Sequence, residues 1–216
     1  MNCEEILAKF ADETEAFRKW DHSLSWPRYG EWECDYERWG NLNAAAECVL
    51  ALDTTNWRPE TTLQMLYVIA RDNEIEVIAD WVSRLPAILR HLAEAAIAHG
   101  ERDVKWQIAK QLGRCEEFPG RESLLLDLVA DEYEYVRRMA LRALADIGSS
   151  HVERMVDAAW SNDEEYQRIM CLYALYRVRS PRAHQFIALA KADSRKHFVN
   201  YAKRLEAEGI PEIEGR

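Results

Sequence analysis

The chain has 216 residues, of which 48% are hydrophobic and 31% charged, with a formal net charge of −10. That balance argues against disorder, and at this length one core or repeat array buries roughly 70% of the unfolded surface without disulfides or metals. The acids are unevenly spread: thirteen against six bases over residues 1–60, eleven against eight over 61–130, and fourteen of each over 131–216. Such a surface repels phosphate backbones and argues against nucleic acid, whereas a basic protein partner is steered toward it.

In chain order, the first unusual feature is aromatic. Trp20, Trp26, Tyr29, Trp32, Tyr36 and Trp39 fall within twenty residues. The spacing of Tyr29, Trp32, Tyr36 and Trp39 predicts a helix from about Glu31 with one aromatic face, interrupted at Gly40 before a second stretch over 42–52. Burying each ring is worth roughly 1.5–3 kcal/mol, so a cap over the first repeat is one reading; an exposed contact surface is the other. Glu31, Glu33, Asp35 and Glu37 interleave with the rings, and their like-charge i,i+4 pairs cost a few tenths of a kcal/mol each. Glu31, Trp32, Glu33, Asp35, Tyr36, Glu37 and Trp39 therefore form a first candidate patch for a basic partner.

From Pro59 onward helical periodicity dominates. Proline in the first turn opens a helix over 59–72, and others are expected over 74–84, 86–99 and 103–112. After these come pairs at 122–130 with 132–146, 151–161 with 163–177, and 181–192 with 194–208. Ser150, Asn162, Ser180 and Asp193 stand where helix caps belong. The short connections make neighbouring helices antiparallel.

The pairs repeat. Val136-Arg137-Arg138-Met139-Ala140-Leu141-Arg142-Ala143-Leu144 lies 31 positions before Gln167-Arg168-Ile169-Met170-Cys171-Leu172-Tyr173-Ala174-Leu175, and Val104–Leu112 is a looser copy. An acidic residue precedes each unit: Asp103, Asp131, Asp163 and Asp193. An acidic turn followed by V-R-x-x-A-x-x-A-L resembles the HEAT-like helical repeats, well over 128–178 and more loosely over 86–112 and 181–208. The resemblance implies an all-α, right-handed α-solenoid of antiparallel hairpins with about 10–11 helices. It also implies that Asp131, Arg137, Asp163 and Arg168 serve as a ladder between repeats. The expected organisation is an aromatic-rich, acidic helical cap over 1–55, repeats over 56–210, and a tail over 211–216. That tail ends in Ile213-Glu214-Gly215-Arg216, a processing-protease sequence of the kind left by cloning.

In this architecture the second helices line an inner groove. Tyr135, Arg138, Arg142, Tyr166, Tyr173 and Arg177 are the second candidate surface, with Asn200 and Lys203 continuing it. Catalytic signatures are missing: there is no phosphate-binding glycine loop, no G-x-S-x-G and no H-E-x-x-H, and the six histidines are dispersed. No catalytic residue, metal site or cofactor is assigned. Cys3, Cys34, Cys48, Cys115 and Cys171 are odd in number and lack a CxxC pair, which suits reduced thiols in the cytoplasm. No apolar run approaches the ~20 residues of a membrane helix. The reading is a non-catalytic repeat protein that sequesters a basic protein such as a toxin or nuclease, in the manner of an immunity protein. The alternative is a HEAT-like DNA glycosylase or other nucleic-acid-acting enzyme. Trp106, Trp160, Arg138, Arg142 and Asp163 offer its residue types but no alignable motif.

Overall fold

The computed structural model describes residues 1–24 and 36–208, and among these the chain is helical throughout, with twelve α-helices, one 3-10 turn and no strand. It divides into two compact units, Met1–Arg121 and Glu122–Arg216.

The first unit holds α1 (Cys3–Ser23), α2 (Trp39–Leu50), the turn Thr54–Asn56, α3 (Pro59–Arg71), α4 (Val77–Val82), α5 (Pro86–His99) and α6 (Arg102–Arg114). A capping box starts α1: Asn2 Oδ1 accepts from the Glu5 N–H and the Glu5 carboxylate from the Asn2 N–H, both at 2.9 Å. Pro59 and Pro86 open α3 and α5 because proline's missing N–H is unpaired there in any case. The core runs through Phe10, Phe17, Leu42, Met65, Ile69, Ile78, Leu89, Leu92, Ile108 and Leu112, all closed to solvent. Since α1 packs on both α2 and α3, these first helices belong to one unit with the helices that follow.

Two expectations change here. The helix over 74–84 is only Val77–Val82, because Glu76 takes a left-handed backbone (φ 57°) that a helix cannot continue through. Asp72, fully buried, accepts from the Ile78 N–H at 2.7 Å and starts the helix late. Gly40 does not interrupt a helix; it is the second residue of α2, and Tyr36 precedes that helix. The proposed helix start at Glu31 lies outside the described residues.

The second unit is a regular repeat: α7 (Arg121–Leu128), α8 (Glu134–Asp146), α9 (Val152–Trp160), α10 (Glu165–Arg177), α11 (Ala183–Lys191) and α12 (Lys196–Glu208). Each second helix starts 31 residues after the last, at 134, 165 and 196, and the first helices follow suit at 121, 152 and 183. Ala140, Cys171 and Ala202 share one register position and are all fully buried, small enough to let helices approach. The hairpin ends repeat as well. Gly148 (φ 71°) and Arg179 (φ 56°) are the left-handed residues after α8 and α10. The next N–H reaches back five residues, Ser149 to the Leu144 carbonyl at 2.9 Å and Ser180 to that of Leu175 at 2.8 Å.

The capping residues differ in part from expectation. Ser149, not Ser150, accepts from the His151 N–H at 3.1 Å, as Ser180 does from Arg182 at 3.1 Å. The two serines also donate to carboxylates of the preceding first helix, Ser149 to Glu122 at 2.5 Å and Ser180 to Glu153 at 2.6 Å. Asp193 accepts from the Arg195 N–H at 2.8 Å. The N-cap of α10 is Glu164, whose side chain makes no cap hydrogen bond, in place of Asn162. The expected ladder is met in part, by Asp163 and Arg168 and with Asp193 and Arg195 added: Arg168 meets Asp163 at 2.7 Å and Asp193 at 3.8 Å, and Arg195 meets Asp163 at 3.0 Å and Asp193 at 2.6 Å. In the preceding repeat Arg137 reaches the Asp131 carbonyl at 3.0 Å and the Glu164 carboxylate at 2.7 Å.

Candidate functional site

On α8, Tyr135, Arg138, Arg142 and Asp146 recur at three- and four-residue steps and so share one face. The 31-residue register carries that face onto α10 and α12. Tyr135, Tyr166 and His197 occupy one position of the repeat; Arg142, Tyr173 and Arg204 occupy another. Contacts show that the three helices run the same way. At their starts, the Arg138 guanidinium lies over the Tyr135 ring at 4.7 Å and the Tyr166 ring at 5.1 Å, and Tyr166 meets His197 at 5.8 Å between ring centroids. Toward the ends of α8 and α10, Arg142 covers the Tyr173 ring at 5.6 Å and the Tyr173 hydroxyl donates to Asp146 at 2.7 Å.

The charges interlock. Arg138 stands 3.3 Å from Glu134, whose carboxyl is pushed up by burial against the opposing pull of Arg138. Asp146 is shared by Arg142 at 3.7 Å and Arg177 at 3.0 Å. Burial and the Asp146 acceptor push the Tyr173 phenol up to about 12, so it stays a donor at neutral pH. Burial also raises Tyr201, against the pull of Arg142 and Arg204.

Of the six residues expected on this surface, Tyr135 (36% exposed), Tyr166 (54% exposed), Arg138, Arg142 and Arg177 face outward to differing degrees. Tyr173 is only 7% exposed, and its ring lies beneath the Arg142 guanidinium. Asp146, His197, Tyr201 and Arg204 were overlooked, although adding two repeat steps of 31 to Tyr135 and to Arg142 reaches His197 and Arg204 directly.

The other expected patch is only partly in view. Glu31, Trp32, Glu33 and Asp35 lie outside the described residues. Glu37 is exposed and Trp39 half-buried, but Tyr36 is 7% exposed and turned inward. It packs on Phe17 at 4.9 Å and Trp20 at 5.0 Å, because Phe17 gathers Trp20, Tyr36, Trp39 and Tyr67 around itself. Tyr36 is therefore not on an exposed surface, whereas Trp39 keeps part of its surface open.

Elsewhere, an open apolar groove of about 550 Å³ lies along α7 and α9, lined among others by Leu126, Val129, Met155, Ala158, Arg137 and Gln167. The thiols of Cys115 and Cys171 are pushed up by burial, the latter to about 12, and so are poor nucleophiles. Asp163 is engaged in the ion ladder, and Trp160 packs edge-on to Phe186 at 4.7 Å. Among the described residues no helix is long and apolar enough to cross a membrane, and no group of three or more His, Cys, Asp or Glu could hold a metal.

Comparison with curated proteins and with solved structures returned no match to either. The family model for HEAT repeats matches residues 89–175 and, overlapping, 122–199. HEAT repeats generally mediate protein interactions through the surfaces that stacking creates. With just over half of its length matched and hairpins in strict register, the chain belongs to the HEAT-repeat family.

Proposed function

We propose that this protein works by binding another protein, performs no chemistry of its own, and makes its main contact through the face of α8, α10 and α12. The supporting observation is the pair of outward tyrosines, Tyr135 and Tyr166, held on either side of the Arg138 guanidinium. Exposing such rings forfeits their burial energy unless a partner covers them. Tyr and Arg are the residue types that most often dominate contact energy, and here they are pre-positioned by stacking.

In its finer form the proposal is sequestration of a basic protein, such as a toxin or nuclease. The net charge of −10 supports this, with the acid excess concentrated in residues 1–60. Glu31, Glu33, Asp35 and Glu37 then steer the partner and set its association rate. Cross-linking in native cells followed by mass spectrometry identifies the partner, and its affinity is measured for wild type and for Tyr135→Ala with Tyr166→Ala. The double variant is expected to lose at least tenfold in affinity with its helical content intact. Unchanged affinity moves the contact off this face. Charge reversal at Glu33, Asp35 and Glu37 is expected to slow association, with a smaller wild-type rate at high salt.

A further inference from the structure

We infer that the α8–α10–α12 face takes a short, extended, acidic segment of its protein partner, a local stretch on a protein whose overall charge is basic. Carboxylates of that segment bind the arginines at the C-terminal half of the helices, and its apolar side chains lie on the tyrosines. The inference rests on the protein-binding reading above and specifies the partner's chemistry at that site.

The argument is one of charge and donor capacity. In a chain of net charge −10, this half of the face carries Arg142, Arg177 and Arg204, and the first two of these share Asp146. Asp146 already accepts from the Tyr173 hydroxyl at 2.7 Å and from Arg177 Nε at 3.0 Å, with Arg142 Nε at 3.7 Å. Each guanidinium has five N–H donors, and it is the Nε of Arg142 and of Arg177 that faces Asp146. The terminal amino groups are the fork that grips a carboxylate in two parallel hydrogen bonds. The side chains of Arg142 and Arg177 are 30% and 40% exposed, so an incoming carboxylate reaches them. Arginines at helix ends are also favoured by the helix dipole, which accounts for their positions but not for the tyrosines that continue the face.

Length follows from packing. Three helices about 9 Å apart present roughly 18 Å, which an extended chain crosses in about six residues at roughly 3.3 Å each. A segment this short carries few charges. Duplex DNA brings one charge about every 1.7 Å and so meets more repulsion from the acidic chain than a short segment with one or two carboxylates, which favours the peptide.

The test is fluorescence anisotropy on the full chain with three labelled probes: an otherwise neutral decapeptide with two glutamates and two leucines, the same peptide with Lys for Glu, and a single-stranded DNA decamer. The acidic peptide is expected to bind at least tenfold tighter than the other two and to weaken with salt. Arg142→Glu with Arg177→Glu should reverse the preference toward the Lys peptide, and the milder Arg177→Gln should weaken the acidic peptide several-fold while leaving the circular dichroism spectrum unchanged. Equal binding of both peptides, tighter binding of the DNA, or no response to the arginine changes overturns the inference. If the acidic peptide fails while the tyrosine double variant still loses the native partner, the protein-binding reading stands and only this specification falls.

Discussion

Single positions of the repeat show where this sequence departs from its own pattern. Gln167 sits where the neighbouring repeats have Val136 and Phe198, yet it is 1% exposed, and among the described residues its Oε1 has no hydrogen-bond partner. An unpaired buried amide oxygen costs about 1–3 kcal/mol, so Gln167→Leu is expected to raise the unfolding free energy in urea by about 1 kcal/mol. A loss instead means that the amide is satisfied through water in the α7–α9 groove. Arg179 occupies the left-handed position that Gly148 fills one repeat earlier. Nothing lies within 4 Å of a Cβ added at Gly148, so the difference is conformational and not steric. Arg179→Gly is expected to stabilise by about 0.5 kcal/mol and Gly148→Ala to destabilise by about 1 kcal/mol, read from the same urea curves. Cys171 takes the place of Ala140 and Ala202, and burial pushes its thiol up to about 12. A raised native pKa means that the folded chain holds the proton longer. Stability is therefore flat below the unfolded thiol's pKa of about 8.5 and falls as pH rises above it, by at most about 1.4 kcal/mol per pH unit for this group. Cys171→Ala should flatten that alkaline decline. A decline of the same steepness in the variant assigns it to other groups, such as the Tyr173 phenol.

At the scale of the element, one serine hydroxyl at the start of each hairpin helps to tie it to the hairpin before. Ser149 and Ser180 each accept a backbone N–H beside the next helix and donate to a glutamate one helix back. Both serines are nearly buried, so removing either hydroxyl leaves a carboxylate and an N–H short of a partner. Ser149→Ala and Ser180→Ala are each expected to cost about 1–2 kcal/mol, and to add within about 0.5 kcal/mol because they share no partner. Differential scanning calorimetry on the two single variants and the double variant checks both the size and the additivity. The ion ladder of Asp163, Arg168, Asp193 and Arg195 is more exposed, and pairs of that kind are worth roughly 0–1 kcal/mol each. It sets register more than stability.

For the whole molecule, charge and contact surface are separated along the chain. Most of the acid excess lies in the first sixty residues, whereas the Tyr–Arg face lies within residues 131–216, where acids and bases balance. Raising salt from about 50 to 500 mM should slow association with a basic partner several-fold while changing dissociation little, since screening acts on long-range steering more than on stacked rings. Stopped-flow mixing separates the two rates, and a salt effect confined to dissociation argues against steering.

The helices, their pairing and the 31-residue step were legible because amphipathic period, proline starts and short polar connections are local properties of the chain. Pro59–Arg71 and Pro86–His99 end within a residue of where the pattern places them. What the pattern did not reveal depends on neighbours distant in sequence. Asp72 shortens α4, Ser149 takes the role expected of Ser150, and Phe17 draws Tyr36 inward although the local spacing of the aromatics permits an outward face. Periodicity tells which side of a helix is apolar; only packing decides which apolar side finds a partner. Hence the fold could be read from the residues alone, while the exposure of Tyr135 and Tyr166, the burial of Tyr173 and the sharing of Asp146 were decided by the stacking of α8, α10 and α12.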